Sequence, residues 1–278
     1  MPAVPSSIIE PIWDQVVALL PVRAVTHPLG CHRRRVPDRV VFDQLVQVLV
    51  FGCAYARIAD PTCSATTLRR RRDEWIAAGV METLHTVGLA AYARMIGLHL
   101  DDVAVDCCIT KAPCGGEMAG RRSVDRGKQG LTRSVAVDAA GMMLVTIAAP
   151  ANCHDSPLLE PTLAAWDFGG EPTTIHLDRG YDSEATRQRL AERGLRADIA
   201  AKGTPAPIAA GKRWGVERTT AWTNAHTKLV WCTERRAVVV AFWIAFWIAF
   251  SAAIIIVGRL VRQAWTRYRW DTRPARRP

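Results

Sequence analysis

The spacing of apolar residues divides the chain into a helical first third and a strand-rich remainder. Near the start, apolar positions recur every three or four residues, which is the spacing of one helix face. The residues on this face are Phe42, Leu45, Val46, Leu49 and Cys53. Ser64 is a suitable N-cap for a second helix that Gly79 ends, and a third helix is predicted over 81–95. We therefore expect an all-α region over residues 1–98.

From about residue 101 the period changes to the alternation of half-buried strands. Strands are predicted over 103–109, 132–137, 143–149, 174–178 and 195–200, and helices over 156–166 and 183–193. Three strands in close succession, followed by strands that alternate with helices, indicate a mixed α/β sheet flanked by helices. We expect this domain to span residues 99–258.

One stretch near the C-terminus is apolar over its whole length. Residues 237–257 contain a single polar side chain, Ser251, and the sequence Trp-Ile-Ala-Phe occurs twice in succession over 243–250. The stretch is long enough for a transmembrane helix. The alternative is a final helix packed on the sheet, in which a four-residue duplication rotates the downstream face by about 40°.

The net charge of +10 is concentrated at the C-terminus. Residues 259–278 carry seven arginines and one aspartate, so we expect a disordered basic tail that contacts DNA nonspecifically. The eight cysteines include no C-x-x-C pair, which favours buried, reduced thiols over a zinc site. The N-terminus lacks the pattern of a signal peptide, so a cytoplasmic location is expected.

Three acidic residues stand where a metal site would need them. Asp106 lies inside an apolar strand, where a carboxylate is unfavourable unless it is paired or binds a metal. Asp178 ends a strand, at the edge where open α/β sheets bind ligands. Glu217 lies in a predicted helix. The other acids have simpler explanations: Asp101, Asp102 and Asp138 suit turns, and Asp155 and Asp182 suit helix caps.

The helix around Glu217 has two distinct faces. Glu217, Ala221, Asn224 and Lys228 share a polar face, which would direct the glutamate toward the sheet. Trp214, Arg218 and Trp222 share a more apolar face. The alternative is an exposed glutamate that pairs with Arg213 or Arg218.

An arginine cluster, Arg69, Arg70, Arg71 and Arg72, lies in the second predicted helix. A helix, a short break and a basic helix are compatible with a helix-turn-helix-like segment that binds DNA. The alternative is a solvated basic face on a helical bundle.

Several ordered motifs resemble bacterial insertion-sequence DDE transposases of the insertion-sequence-five-like group. They cover about residues 10–235. The motifs are Val105-Asp106, Thr110 to Glu117, Asp125 to Lys128, Ser134 to Asp138, Ala151 to Ser156, Leu177 to Asp182 and Val216 to Asn224. The resemblance implies a ribonuclease-H-like catalytic domain behind a helical DNA-binding region.

The resemblance also implies the site and its ligands. Asp106, Asp178 and Glu217 would be the catalytic residues and would bind two Mg²⁺ ions, which Mn²⁺ would replace. The implied DNA contacts beyond the arginine cluster are Lys111, Lys128, Arg218 and Lys228. The substrates would be double-stranded DNA at the terminal inverted repeats and a target site, bound by a homo-oligomer near the nucleoid. A packed helix over 237–257 is then expected rather than a membrane span.

The sequence departs from the group at a few positions. Cys107 and Cys108 follow the first aspartate, where glycine and a small hydroxyl residue are usual. These departures and the duplicated Trp-Ile-Ala-Phe keep a second hypothesis open, a catalytically inactive DNA-binding protein derived from a transposase. The apolar stretch alone motivates a third, a membrane-anchored protein.

Overall fold

A computed structural model describes residues 4–22, 35–122, 125–170, 172–205 and 211–267. The predicted helical region is confirmed. Its helices are α1 (Ser6–Leu19), α2 (Asp38–Phe51), α3 (Tyr55–Ile58), α4 (Ala65–Ala77) and α5 (Val80–Met95). Ser64 caps α4 as expected, since its hydroxyl accepts a hydrogen bond from the Thr67 backbone N–H at 3.2 Å. Cys53 lies beyond α2, because Gly52 ends that helix in a left-handed conformation.

The predicted mixed sheet is also confirmed. Its strands are β1 (Asp102–Lys111), β2 (Gly120–Arg121), β3 (Gln129–Asp138), β4 (Met143–Pro150), β5 (Thr174–Leu177) and β6 (Arg196–Ile199). Strand β1 pairs antiparallel with β3 and parallel with β5, β3 pairs antiparallel with β4, and β5 pairs parallel with β6. Three antiparallel strands followed by two parallel ones form the expected ribonuclease-H-like sheet. The two-residue β2 was not predicted.

Helices cover both faces of the sheet. The helices that follow β4 are α6 (Asp155–Ala164), α7 (Glu184–Glu192), α8 (Trp214–Thr223), α9 (Thr227–Val230) and α10 (Ala237–Arg267). Helix α8 packs on β1 and β3, with Val216 in one core cluster beside Ala104 and Val137. Helix α6 packs on the other face, where Leu159 joins Val105 in a second cluster.

Helix α10 packs in the core along α5 and also contacts α1, α4 and β4. Trp243 and Trp247, one from each Trp-Ile-Ala-Phe copy, are 2% and 1% exposed, so both copies lie in the core. Among the described residues, this is the helix long and apolar enough to cross a membrane, and most of its apolar stretch is buried within the protein.

Two expectations about the periphery need correction. Residues 259–267, placed in a disordered tail from the sequence, continue α10, because Leu260 packs against the core and Arg259 donates a hydrogen bond to the Ala140 carbonyl oxygen at 2.7 Å. The rest of that tail lies outside the described residues. Of the seven described cysteines, Cys114 and Cys153 are exposed rather than buried. The boundaries 1–98 and 99–258 stay predictions.

Candidate active site

The register of the parallel strands places Asp106 and Asp178 side by side. Pairing of β1 with β5 runs from Asp102 opposite Thr174 to Ala104 opposite His176. Continued by two residues, this register sets Asp106 opposite Asp178. Residues of equal parity on neighbouring strands point to the same face of a sheet, so both carboxylates lie on one face.

Like-charged neighbours and burial act together on Asp106. The pKa of its carboxyl is raised to about 7, mainly by burial and then by the charges of Glu217, Asp178 and Asp155. The Cys107 backbone N–H donates a hydrogen bond to Asp106 Oδ1 at 2.8 Å. This bond stabilises the ionised carboxylate and therefore lowers the pKa. The structure therefore brings the three predicted acids into one electrostatic neighbourhood.

A tight turn orients Asp178. The carboxylate accepts a hydrogen bond from the Gly180 backbone N–H at 2.8 Å, which caps the 3₁₀ turn Arg179–Tyr181. A Cβ atom on residue 180 would lie 2.9 Å from Asp178 Oδ1, so glycine allows this close approach. Tyr181 is buried, and its hydroxyl oxygen lies 3.3 Å from Cys107 Sγ. Cys107 therefore packs on the opposite face of β1 from Asp106.

Glu217 is exposed on α8. The prediction that it shares one polar helix face with Lys228 is wrong. The helix ends at Thr223 and Lys228 belongs to α9, so no single helix face joins them. The residues that α8 buries are Gly215, Val216, Thr219 and Thr223. The described residues include no ion pair to Glu217. Arg218, the pairing partner in the alternative explanation, donates instead to the Ala140 carbonyl oxygen at 2.8 Å.

Sequence reasoning missed the position of Asp155. It was explained as a helix cap, but His154 occupies the N-cap position and Asp155 lies in the first turn of α6. Its charge contributes to the raised pKa of Asp106 after burial, Glu217 and Asp178. The signal that would have found it is its place in the motif Ala151 to Ser156, which resembles the transposase group.

The carboxylates fit a divalent cation by chemistry. The three carboxylates around the half-buried Asp106 are, with it, hard oxygen ligands, and their mutual repulsion is relieved by a bound dication. In the part of the chain that the structure describes, no three Asp, Glu, His or Cys side chains are gathered closely enough to form a complete metal site. The donor set is therefore present, and its side chains would have to converge to bind.

Three of the cations predicted to contact DNA are buried. Arg71 and Lys228 have 0% and 2% exposed side chains, and Arg72 has 5%. Arg71 pairs with Asp38, whereas Arg72 and Lys228 both face Glu234. These three side chains connect elements of the fold, and in this conformation they do not reach the surface.

The remaining predicted cations are exposed: Arg69, Arg70, Lys111, Lys128 and Arg218. Two of them lie beside exposed tryptophans. The Arg218 guanidinium is 4.3 Å from the centre of the Trp214 ring, and the Lys111 ammonium is 5.0 Å from that of Trp231. The face of α8 with Trp214 and Trp222, which are 42% and 48% exposed, thus points to solvent.

Comparison with protein families matches two parts of the chain. Residues 9–85 match the family described as "Putative transposase of IS4/5 family", and residues 110–250 match the "Transposase DDE domain". The second match contains Asp178 and Glu217 and begins four residues after Asp106. One curated relative, the "Putative transposase for insertion sequence element IS402" of Burkholderia cepacia, is 36% identical over 132 residues. This alignment covers 44% of the chain and 63% of the relative.

Solved structures of a mariner transposase share a distant likeness. The catalytic domain of Mos1 mariner transposase is 13% identical, covers 66% of this chain and 87% of its own, and has a TM-score of 0.37. The Mos1 mariner paired end complex with Mn is 11% identical, with coverages of 96% and 89% and a TM-score of 0.36. Because the similarity is this distant, no conclusion about this chain is drawn from it.

Proposed function

Because the chain belongs to the transposase DDE-domain family, we propose that it cuts DNA at the ends of an insertion sequence and joins the freed ends to a target. The observation that carries this proposal is the register that sets Asp106 opposite Asp178 on one sheet face. The raised pKa of Asp106, caused by burial and then by nearby carboxylates, supports it.

Asp106, Asp178 and Glu217 are the residues proposed to hold two Mg²⁺ ions, with Mn²⁺ as a substitute. When bound, such ions stabilise the charge that develops on the attacking and leaving oxygens of a phosphodiester. The protein's own contribution is to keep the ligands in place: Gly180 orients Asp178, and the Cys107 N–H orients Asp106. A cation would favour the ionised form of Asp106 at neutral pH.

The DNA is proposed to contact the exposed cations. The cations proposed to contact phosphates are Arg69 and Arg70 on α4 and Lys111, Lys128 and Arg218 near the sheet, all with exposed side chains. The exposed Trp214 and Trp222 rings next to Arg218 offer a surface on which bases can stack. The proposed substrates are the terminal inverted repeats and a target duplex, bound by a homo-oligomer in the bacterial cytoplasm.

The alternative, an inactive DNA-binding derivative, has less support. Its first motive is the pair Cys107-Cys108: Cys107 packs against Tyr181 on the side of β1 that faces away from the site, whereas Cys108 lies on the same face as Asp106, near Thr220 and Glu217. The other motive, the duplicated Trp-Ile-Ala-Phe, is accommodated in the core. The duplication is thus no evidence against an intact site.

Asp178→Asn tests the proposal, with Asp167→Asn as its control. Both aspartates accept a hydrogen bond from the backbone N–H two residues later, at 2.8 and 2.9 Å, so the substitutions perturb the turns alike. We expect wild-type protein and Asp167→Asn to nick a labelled duplex carrying the repeats that flank the gene, in Mg²⁺ or Mn²⁺. Asp178→Asn should lower the rate on the order of 100-fold or more while DNA affinity stays unchanged.

Each outcome of this assay separates the hypotheses. Equal nicking by Asp178→Asn and wild type removes Asp178 from the catalytic set. Binding of the repeats by wild type without nicking in either metal favours the inactive derivative. Joining of the labelled strand to a second duplex measures strand transfer separately from cleavage.

A further inference from the structure

A chain of polar contacts crosses the sheet face that carries Asp106 and Asp178. His176 lies on β5, two residues before Asp178, and its side chain is 5% exposed. Its Nε2 lies 2.8 Å from Asp102 on β1, and its Nδ1 lies 2.7 Å from Asp198 on β6. One buried imidazole thus joins three parallel strands. From the sequence, Asp102 was expected only to form a turn before β1.

Lys212 extends this chain to the helix that carries Glu217. Its ammonium pairs with the second carboxylate oxygen of Asp102. Lys212 lies two residues before α8 and five before Glu217. Burial tends to raise the pKa of Asp102, but the hydrogen bonds from Lys212 and His176 outweigh it and lower that pKa. Asp102 is therefore a charged acceptor between two donors.

The backbone ladder alone leaves the site weakly held. Strands β1 and β5 pair through three residue pairs, which end at Ala104 and His176. Asp106 and Asp178 lie two residues beyond that end, about 7 Å along the strands. The side-chain bridge from His176 back to Asp102 spans this same three-pair ladder and reinforces it.

We propose that His176 is a positioning residue that sets the spacing of the three carboxylates. It acts by holding β5 to Asp102, which Lys212 in turn joins to the start of α8. The inference rests on the proposed function, because it concerns the metal-binding side of the same site. An imidazole suits this role, since its two nitrogens face in different directions and each reaches one carboxylate.

The substitution His176→Gln tests this role, because one amide group cannot span both carboxylates. The matched control is His85→Gln, which removes a half-buried histidine on α5, outside this sheet face. The first measurement is Mn²⁺ titration of the full-length chain, followed by electron paramagnetic resonance, with circular dichroism to confirm folding. We expect His176→Gln to weaken Mn²⁺ binding about 10-fold or more, and His85→Gln to leave it unchanged.

Two results of the titration overturn the inference. One is wild-type Mn²⁺ affinity in a folded His176→Gln variant. The other is an equal loss in both variants, which assigns the effect to general destabilisation.

If the wild-type chain itself binds no Mn²⁺, the metal part of the proposed function fails instead. Crystal structures of the metal-free wild type and His176→Gln then decide the matter. A wider separation of the Asp106 and Asp178 carboxylates in the variant supports positioning by His176, and an unchanged separation refutes it.

Discussion

At the scale of single residues, Asp106 opposes the stability of the metal-free fold. Burial first, and then the charges of Glu217, Asp178 and Asp155, raise the pKa of its carboxyl from an ordinary 3.8 to about 7. The unfolded chain therefore ionises this group more readily than the folded chain. The loss in free energy of unfolding that Asp106 causes is absent below about pH 3.8, grows as the pH rises, and is complete above about pH 7.

Asp106→Asn should consequently stabilise the protein at high pH. In buffer with a chelator, we expect the free energy of unfolding at pH 8 to rise on the order of 2 kcal/mol, and to change little near pH 4. Asparagine keeps an acceptor for the Cys107 N–H, so this contact within β1 is preserved. Urea titrations at several pH values measure the effect, with Asp167→Asn as control. A gain that does not depend on pH would contradict this explanation.

Single charged residues are also where prediction from sequence fails. The arginine cluster was identified, but Arg71 and Arg72 point inward whereas Arg69 and Arg70 point outward. The helix period alone does not separate them, because the aliphatic part of arginine can pack against apolar surface and its head can be buried once it is paired. Arg72 is buried beside Glu234, which lies far along the chain, so the local sequence pattern does not predict this ion pair.

At the scale of elements, the β3–β4 turn positions α8. The Thr219 hydroxyl donates to the Gly141 carbonyl oxygen at 3.0 Å, and Arg218 donates to that of Ala140 at 2.8 Å. Gly141 has a φ of 82°, and a Cβ atom there would lie 2.5 Å from the Arg218 guanidinium and 2.8 Å from Thr219 Oγ1. Glycine thus allows the helix that carries Glu217 to approach the turn.

Gly141→Ala should therefore displace α8. The matched control is Gly170→Ala, because Gly170 has a φ of 74° but no atom of the described residues within 4 Å of an added Cβ. Backbone strain of about 1 kcal/mol is common to both variants. We expect Gly141→Ala to lose a further 1–3 kcal/mol or so in urea unfolding, and to lose nicking activity. Equal losses in the two variants would show that strain, not the contact with α8, is responsible.

Elements with a clear periodicity of apolar residues were predictable from the sequence. Elements whose length or end depends on contacts with distant residues were not. Strands β1, β3 and β4 were expected within a few residues because their alternation is strong. Strand β2 has two residues, which is too short for a period. The end of α8 at Thr223 was missed because the following turn is stabilised by tertiary contacts, such as the Trp247 Nε1–H donating to the Thr223 carbonyl oxygen at 3.2 Å.

At the scale of the whole molecule, one carboxylate connects the helical region to the sheet domain. Glu234 lies between α9 and α10, and Lys228 Nζ is 2.8 Å from it. The Tyr55 hydroxyl and Trp243 Nε1 each lie 3.2 Å from the same oxygen, and Arg72 Nη1 lies 3.8 Å from the other. Burial tends to raise the pKa of Glu234, but Lys228 and Arg72 outweigh it and lower that pKa. Residues from both regions therefore share one buried ionic network.

Glu234→Gln should loosen the two regions from each other. Lys228 and Arg72 would keep their burial but lose a negative partner, so we expect the free energy of unfolding to fall by about 3 kcal/mol at pH 7. Because the pKa of Glu234 is lowered from 4.5, this difference should shrink as the pH falls below that value. Urea unfolding followed by circular dichroism and by tryptophan fluorescence measures it.

Glu160→Gln supplies the reference for this experiment. Glu160 pairs with Arg193 at the surface, with side chains 46% and 34% exposed, so its loss should change stability by less than about 1 kcal/mol. If Glu234 holds the two regions together, the two probes give coincident transitions in wild type and in Glu160→Gln, and separate ones in Glu234→Gln. Losses of the same size in both variants, with coincident transitions throughout, would mean that the regions are joined by apolar packing along α10 and not by this network.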